Sequence, residues 1–570
     1  MPGARSSEPV DRLRFLDPLG ALLAGIAGIV TWAAARGPDS ALRPATSPAW
    51  ARFRDHLLEG PDAGAWASNA SALWLGRTED LDPHRLPILP RLTALVLEIL
   101  PDPALAGHLV NHLVHVALGP VVYLLGRRWM GRGMALAAAI AAVGYTPSVL
   151  AADRYGVDPL VTLALPAALL AAECAARHWK LAPLFGVVVG FASSAHLTTI
   201  GIGVPALLLA LLRGEPGFRR WLGAGGLAAG ALLGVGLAFL NYPILEWGLL
   251  TGSLAEGVAP AGPNGDAANL VDSMARAIAT VRTGGPAALE HSVAFLAAAT
   301  RPAWLPWSAA LWLPWLGIAG FGLSAAPPLR PGGFSRVIRE RLGPFRGLGA
   351  GVPLALALVP VLVFAAAGSP PRYTQNYHPL GVLLVFRGAD VVLRLAERAL
   401  EGAFEWAARG SFGHRWVLAT RGGLGLLVGA ATVVGLWPSA HAFAGLGLPP
   451  SQLDVADWRL GQVVASHFPP GGGASCLRRE VVAYAARTFC PHSPGFDFAD
   501  AAEPTRSHLD SECPGEGPIP YVVLSGIEDG STATRRRIDA WVIAHGTLVQ
   551  TVTNQHYQAA VYSVERVTPP

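Results

Sequence analysis

Long apolar segments dominate this chain up to about residue 442, and short polar connections separate them. A run of about 18 or more apolar residues is long enough to cross a bilayer as a helix. The segments that begin at Leu181 and Leu197 are short and nearly continuous, so we expect them to be irregular or re-entrant. The pattern predicts about eleven spans, at Pro18–Ala35, Pro103–Leu125, Met134–Leu150, Pro159–Ala175, Leu181–Ser194, Leu197–Leu212, Trp221–Leu240, Leu305–Leu323, Leu348–Ala366, Leu380–Leu395 and Gly423–Ala442.

Composition agrees with this pattern. Hydrophobic residues make up 52% of the chain and charged residues only 14%, whereas a soluble domain carries roughly a quarter charged residues. We therefore predict an α-helical polytopic membrane protein. The net charge of +4 is small and does not indicate nucleic acid as a partner.

Basic residues predict the orientation, because cytoplasmic loops of membrane proteins are enriched in Lys and Arg. They precede the first span and follow alternate later spans, at Arg12, Arg14, Arg127–Arg132, Arg177–Lys180, Arg213–Arg220 and Arg336–Arg346. The N-terminus is then cytoplasmic, and loops 37–100, 151–158, 241–304 and 367–379 face outward. The first span is either an uncleaved signal anchor or a signal peptide cleaved near Ala35; its length favours the anchor.

The first outward loop contains an acidic residue at the start of a predicted helix. Asp62 follows Pro61 and precedes an apolar stripe at Trp66, Ala70, Leu73 and Trp74. The stripe predicts a short helix that lies along the membrane interface. Asp62 is placed either to cap this helix or to act as a catalytic base, and the two roles are compatible.

Two further outward loops carry charge close to the predicted membrane surface. Asp158 precedes Pro159, where it either caps the next span or has a functional role, and Arg154 lies four residues earlier. Arg372, beside Tyr373, either anchors the chain at the interface or holds a phosphate.

Residues 443–570 have a soluble composition and predict an extracytoplasmic α/β domain. Within it, Tyr521–Ser525 is typical of a buried strand and Thr534–Ile543 of a helix. Cys476, Cys490 and Cys513 allow three alternative disulfides, each with one cysteine left over. The domain either helps to select an acceptor or is structural.

Neither the outward carboxylates nor the histidines of the second span require a metal. His108, His112 and His115 recur on one helical face, a spacing that would suit a metal. We instead interpret them as hydrogen-bonded polar residues that face the interior of the bundle or line a cavity. No metal and no cofactor are predicted.

These segments, by their order along the chain and their predicted location on one side of the membrane, resemble the GT-C superfamily of polytopic glycosyltransferases. The resemblance is to the branch of protein mannosyltransferases and aminoarabinose transferases in particular. The matching positions are Asp62, the proline-containing Leu86–Leu92, the helix and basic turn Asn111–Arg132, Asp158, and Arg372-Tyr373 followed by His378-Pro379. The chain departs from the family at Ala63, where a second acid is frequent, and at His84 and Arg85, where relatives carry lysine.

The resemblance implies an inverting enzyme of the bacterial inner membrane. It would move a hexose or pentose from a polyprenyl-phosphate donor to a lipid, glycan or protein acceptor on the extracytoplasmic face. Asp62 would be the general base, and Asp158 would orient the acceptor or a sugar hydroxyl. The donor would be bound by Arg372, with Arg85, His84, Arg154 and Tyr373 as further candidates.

An alternative class is a polytopic transporter or flippase of a lipid-linked or small-molecule substrate. Such a protein is expected to show matching halves or paired interrupted helices. The sequence shows no internal repeat of this kind, which favours the transferase.

Overall fold

The structure is a computed structural model. It describes most of the first 242 residues and shorter parts of the remainder. The described residues are 18–36, 58, 61–78, 81, 85–215, 217–242, 353–360, 376–387, 390, 458–459, 461–463, 465–466, 473–476, 488–490, 521–525, 540, 543–553 and 558–563.

Apolar helices form most of this part of the chain. They are α1 (Pro18–Arg36), α2 (Pro61–Trp74), α3 (Ile88–Leu97), α4 (Pro103–Trp129), α5 (Arg132–Val143), α6 (Thr146–Ala152), α7 (Asp158–Arg177), α8 (Ala182–Ser193), α9 (Gly203–Arg213), α10 (Phe218–Ala238), α11 (353–360) and α12 (His378–Arg387). Within the described residues, α4, α7 and α10 are each long and apolar enough to cross a membrane.

Four predicted spans coincide with observed helices, at α1, α4, α7 and α10. Prolines at their starts explain part of this agreement, since proline suits the first turn of a helix. In α4, Pro103 follows the N-cap Asp102, whose side chain accepts a hydrogen bond from the Leu105 amide at 3.0 Å. The predicted spans Leu305–Leu323 and Gly423–Ala442 lie outside the described residues, so the number of spans stays a prediction.

The predicted single span Met134–Leu150 is wrong, because the structure has two helices there. Helix α5 ends at Val143, and α6 begins at Thr146 after a break at Gly144 and Tyr145. Pro147 lies in the first turn of α6. A proline cannot donate the backbone hydrogen bond that a continuous helix would need, so the helix stops and restarts.

The segment that begins at Leu197 starts irregularly, as predicted, whereas the segment that begins at Leu181 is a regular helix over Ala182–Ser193. A single 3₁₀ turn, Trp179–Leu181, precedes α8, and a second 3₁₀ segment, Leu197–Ile202, precedes α9. His196 caps the second segment: its Nδ1 accepts a hydrogen bond from the Thr198 amide at 3.3 Å.

Large apolar side chains stand exposed on the outside of the bundle. They include Leu19, Leu22, Ile26 and Ile29 on α1, and Phe218, Trp221, Leu232 and Leu233 on α10. A soluble domain rarely exposes so much contiguous apolar surface, whereas lipid tails solvate it well. The exposed faces therefore identify an integral membrane protein, and the buried core lies between α4, α5, α7 and the helices around them.

Helices α8 and α10 approach each other through glycines. A Cβ atom at Gly186 or Gly190 of α8 would collide with backbone carbonyls of α10, and one at Gly230 or Gly234 of α10 would collide with carbonyls of α8. Small residues at such spacing let membrane helices pack by backbone contact. This pair makes the most extensive helix–helix contact among the described elements.

A five-stranded mixed sheet lies in the C-terminal region. Its strands are β1 (Gly473–Cys476), β2 (Thr488–Cys490), β3 (Tyr521–Ser525), β4 (Thr547–Thr553) and β5 (Gln558–Ser563), in the order β2-β1-β3-β5-β4. Strand β1 pairs in parallel with β2 and β3, while β5 pairs antiparallel with β3 and β4.

This sheet confirms the strand predicted at Tyr521–Ser525. Strand β2 lies against α2, the helix of the first outward loop. Cys476 and Cys490 end the neighbouring strands β1 and β2, and Cys513 lies outside the described residues. The boundaries of the domain at 443 and 570 stay a prediction.

The glycine contact predicts opposite effects for two neighbouring positions of α10. A Cβ at Gly234 would lie 3.0 Å from the Val187 Cα, whereas one at Gly236 meets nothing within 4 Å. We expect Gly234→Ala to destabilise the protein by about 1–3 kcal/mol through overpacking. Gly236→Ala should be neutral or stabilising by up to about 1 kcal/mol, because alanine favours the helix. Thermal unfolding in detergent measures both, and equal melting temperatures would contradict this packing.

Candidate active site

Helix α2 carries the Asp62 position and lies inside the protein. The helix begins at Pro61, so Asp62 lies within its first turn. The prediction that Asp62 caps this helix is therefore wrong. A carboxylate in the first turn still interacts favourably with the helix dipole.

Trp66 and Ala70 of the predicted apolar stripe are covered by protein and do not face the membrane, whereas the direction of α2 relative to the bilayer stays a prediction. Trp66 is 3% exposed and Ala70 is fully buried, and the residues from Ala63 to Ala72 are buried without exception. Small residues fill the positions between them, so protein packs closely around every side of the helix. Trp66 belongs to the main core of the bundle and not to an aromatic belt.

Arg85 reaches the same face of α2 on which the Asp62 position lies. Its guanidinium carbon is 5.6 Å from the ring centroid of Trp66, within cation–π range. Trp66 follows Asp62 by four residues, and residues four apart share a helix face. The structure thus places an arginine one helical turn from the acidic position.

Tyr242 fixes the backbone of Arg85. The Tyr242 hydroxyl donates to the Arg85 carbonyl at 2.6 Å and accepts from Asn69 Nδ2 at 2.7 Å. Because Asn69 belongs to α2 and Tyr242 follows α10, one phenol joins three segments of the chain. Asn69 and Tyr242 were missed in the sequence, where a single asparagine among small residues gives no distinctive signal.

Arg91 binds the end of α10 to α3. Its Nε donates to the Ala238 carbonyl at 2.8 Å, and its Nη2 donates to the Leu240 carbonyl. Partial burial lowers the pKa of Arg91, while the electrostatic interaction with Tyr242 raises it. An arginine that donates to the carbonyls left without helical partners at a helix C-terminus stabilises that helix. Here the same contact also holds the first outward loop in place.

The second outward loop is tied down on two sides. Asn111 of α4, fully buried, donates from Nδ2 to the Arg154 carbonyl at 2.6 Å and to the Gly156 carbonyl at 3.0 Å. The Tyr155 hydroxyl lies 3.0 Å from Thr93 Oγ1 of α3. Burial raises the pKa of Tyr155, an effect that the hydrogen bond with Thr93 opposes. The phenol therefore stays neutral and connects the first and second outward loops.

Asp158 contacts a late segment of the chain. Asn376 Nδ2 donates to Asp158 Oδ1 at 2.7 Å, and Thr162 Oγ1 lies 3.4 Å from Asn376 Oδ1. Helix α7 begins at Asp158 itself, and the N-cap is Val157. The interpretation of Asp158 as a helix cap is therefore wrong. Its side chain instead joins the start of α7 to the segment that follows Arg372 and Tyr373.

The residues after Asn376 hold this segment against two other parts of the bundle. The Tyr377 hydroxyl donates to the Thr198 carbonyl at 2.7 Å, and His378 Nε2 lies 2.9 Å from the Ala142 carbonyl. The His378 ring also stacks on Tyr145, with 4.2 Å between ring centroids. Tyr145 lies at the break between α5 and α6, so this break makes room for the late segment.

An apolar cavity of about 420 Å³ opens between α8, α9 and α10. Leu86, the residue after Arg85, lines it together with Ile200 and Phe239. Ile200 belongs to the 3₁₀ segment whose Thr198 carbonyl accepts the hydrogen bond from Tyr377. The cavity therefore adjoins both Arg85 and the segment that contacts Asp158.

The structure brings together some predicted site residues and leaves others outside the described part. Asp158 and the backbone of Arg154 share one loop, and Arg85 faces the helix of Asp62. Nothing is described of the Asp62 side chain, and His84, Arg372 and Tyr373 lie outside the described residues. Asn376 was missed in the sequence, although a polar residue at the edge of a predicted span is a signal for it.

The histidines of α4 are buried in the bundle, as interpreted from the sequence. His108, His112 and His115 are each less than 10% exposed, and Trp32 packs against His112 with 5.0 Å between ring centroids. Among the residues that the structure describes, no group of three or more His, Cys, Asp or Glu is arranged to hold a metal ion.

Removing the Asn111 amide should release the second outward loop. We expect Asn111→Ala to raise the rate of trypsin cleavage after the exposed Arg154 about tenfold, because two carbonyls of the loop lose their donor. Limited proteolysis with mass spectrometry measures the rate. Leu113→Ala is the matched control, since Leu113 lies on the same helix and is exposed. Equal cleavage of the two variants would show that Asn111 does not hold the loop.

Comparison with known proteins identifies the fold. No protein-family model and no curated protein matches the chain. Among solved structures, ArnT from Cupriavidus metallidurans bound to undecaprenyl phosphate is similar with a TM-score of 0.51 at 14% identity, over 97% of this chain and 99% of that one. The oligosaccharyltransferase AglB from Archaeoglobus fulgidus, in complex with an inhibitory peptide and a dolichol-phosphate, scores 0.45 at 15% identity, over 89% and 69%. The similarity to ArnT shows that this chain shares the fold of that protein, as the resemblance in its sequence predicts.

Proposed function

We propose that this protein is an inverting membrane glycosyltransferase. It takes a sugar from a polyprenyl-phosphate donor and transfers it to an acceptor at the extracytoplasmic face of a bacterial inner membrane. The acceptor is a lipid, a glycan or a protein. The fold shared with ArnT supports the reaction class, since that protein is described in complex with undecaprenyl phosphate.

The reaction is a single displacement. The acceptor hydroxyl or amine attacks the anomeric carbon, and the bond from that carbon to the phosphate oxygen breaks. The acceptor proton passes to a carboxylate, and the bonding electrons leave with the lipid phosphate. A positioned base accelerates such a step by roughly 10²–10⁴-fold, and a cation stabilises the charge that develops on the phosphate.

One observation carries this proposal: an arginine lies one helical turn from the acidic position of α2. The Arg85 guanidinium is 5.6 Å from the Trp66 ring, and Trp66 shares a helix face with Asp62. Transfer from a phosphate donor needs a base and a cation near each other. In this arrangement Asp62 takes the acceptor proton and Arg85 binds the donor phosphate.

Asp158 is proposed to orient a hydroxyl of the acceptor or of the sugar. Its Oδ1 accepts a hydrogen bond from Asn376 at 2.7 Å, which fixes the carboxylate. The Asn376 contact also joins this carboxylate to the segment that carries Arg372 and Tyr373. Both residues, with His84 and Arg154, are proposed to bind the donor phosphate or sugar.

The apolar cavity between α8, α9 and α10 is proposed to receive part of the polyprenyl tail. Its lining is almost wholly apolar, which suits an isoprenoid chain. Leu86 lines the cavity directly beside Arg85. A tail in this cavity would therefore bring its phosphate towards the arginine.

The test of the base is an Asp62→Asn variant. In a deletion strain we expect the lipid-linked sugar donor to accumulate and expression of the wild-type chain to clear it. Asp62→Asn should reduce clearance by about 10²–10⁴-fold, because the isosteric amide cannot accept the proton. Mass spectrometry of extracted lipids measures the donor. Asp102→Asn is the matched control: it also removes a carboxylate, and asparagine caps a helix as well as aspartate does.

Full clearance by Asp62→Asn would overturn the assignment of the base. A transporter or flippase gives a different result. It would change which leaflet holds the lipid-linked sugar, and no transfer product would form in any variant.

Arg85 is expected to act through donor binding. Arg85→Gln should raise the KM for an extracted lipid-linked sugar about tenfold, as expected when one charge-assisted hydrogen bond to phosphate is lost. The kcat should also fall, because the same charge stabilises the phosphate as it leaves. Arg77→Gln in the same loop is the control, and an equal rise in KM for the two variants would contradict a specific phosphate contact.

A further inference from the structure

A second cluster of charge lies at the opposite end of the bundle from Asp158. There the last turn of α4 contributes Arg128, the last turn of α7 contributes Arg177, and the last residue of α9 is Arg213. All three surround one carboxylate, Glu173, which is fully buried. We name these four residues the basic cluster.

Glu173 organises the cluster through direct contacts. Its Oε1 accepts from Trp129 Nε1 at 2.8 Å and from Arg213 Nε at 3.1 Å. Arg128 Nη2 lies 3.9 Å from the sulfur of Cys174, the next residue. The carboxylate thus holds side chains of three different helices within one small region.

Arg177 brings further positive charge to this region. It is exposed, and it interacts electrostatically with Arg128, Glu173 and Arg213. Within the basic cluster, positive charge exceeds negative charge by two.

Orientation of the protein does not by itself account for this arrangement. The preference for basic cytoplasmic loops requires positive residues near the membrane surface, but not their convergence on a buried acid. Arg219, in the same region, illustrates the simpler case. It is exposed and pairs with Glu215 at 3.2 Å, four residues away.

The surface beside the cluster is strongly apolar. Leu181 and Leu184 of the α8 region and Phe218 and Trp221 of α10 are each more than half exposed. The two elements meet here, since a Cβ at Gly223 would lie 3.5 Å from the Trp179 Cβ. Excess positive charge therefore adjoins a lipid-facing surface.

We propose that the basic cluster binds the phosphate of an anionic glycerophospholipid, such as phosphatidylglycerol, in the membrane leaflet next to it. Arg177 and Arg128 contact the phosphate, and the acyl chains lie over the exposed side chains of α8 and α10. Arginine favours this role because its planar fork matches phosphate oxygens. Basic pockets between membrane helices bind anionic head groups in the same way. The site is remote from Asp62 and Asp158 and does not depend on the proposed reaction.

The test uses the purified full chain in a neutral detergent. We expect phosphatidylglycerol to raise the melting temperature and to remain bound in native mass spectrometry. Arg177→Gln should weaken this binding about fivefold, corresponding to loss of ~1 kcal/mol for one arginine. Its melting temperature without lipid should equal that of the wild type, because Arg177 is exposed. Arg219→Gln is the matched control and should bind as the wild type does.

Two comparison ligands decide the source of the phosphate. Phosphatidylcholine with the same acyl chains should stabilise the protein less than phosphatidylglycerol. Inorganic phosphate should not reproduce the effect. Equal stabilisation by both lipids, unchanged affinity in Arg177→Gln, or full stabilisation by inorganic phosphate would each overturn the proposal.

Discussion

The interior of a bilayer offers no partner to polar groups, so every irregular stretch of this chain at membrane depth must be satisfied by the protein itself. The second outward loop, close to the predicted membrane surface, is held in a similar way by Asn111, which donates to two of its carbonyls. The Thr198 carbonyl accepts a hydrogen bond from the Tyr377 hydroxyl, and the Ala142 carbonyl lies beside His378 Nε2. These contacts join parts of the chain that are far apart in sequence. The hydrogen bonds that satisfy the irregular segments between helices therefore also bring the residues of the candidate site together.

Helices α8 and α10 pack closely by backbone contact, and the apolar cavity lies beside them. Helices α8 and α10 meet through glycines along one side. The apolar cavity lined by Leu86, Ile200 and Phe239 lies beside this contact. A rigid contact on one side of a helix pair can hold a cavity open on the other. The site thus rests on the packing of two helices that contribute none of its proposed catalytic residues.

The two ends of the bundle use charge differently. At the end that carries Asp158, the carboxylate is joined to a neutral amide, and arginine contacts an aromatic ring or backbone carbonyls. At the other end, arginines gather around a buried acid and keep an excess of positive charge. Neutral partners fix a carboxylate without removing its ability to accept a proton. An excess of positive charge instead favours an anionic ligand.

The sequence by itself determined the class of the protein and the positions of several helices. Apolar runs predicted α1, α4, α7 and α10, because burying a helix in lipid requires about 20 apolar residues whatever packs around it. Prolines marked several helix starts for a reason that is equally local. The order of several segments, among them those that carry Asp62, Asp158 and Arg372, gave the resemblance to the GT-C superfamily. These features depend on residues close together along the chain.

Only the tertiary structure decided how the side chains are used. The stripe on α2 could not reveal whether protein or membrane would cover Trp66, since both environments are apolar. Asp158 looked like a cap until its partner appeared at Asn376, more than two hundred residues later. Asn69 and Tyr242 have no signal of their own, because each acts through a hydrogen bond that exists only after folding. Hydrophobic segments can be recognised from the sequence alone, whereas the pairing of polar groups depends on which helices lie side by side in the folded protein.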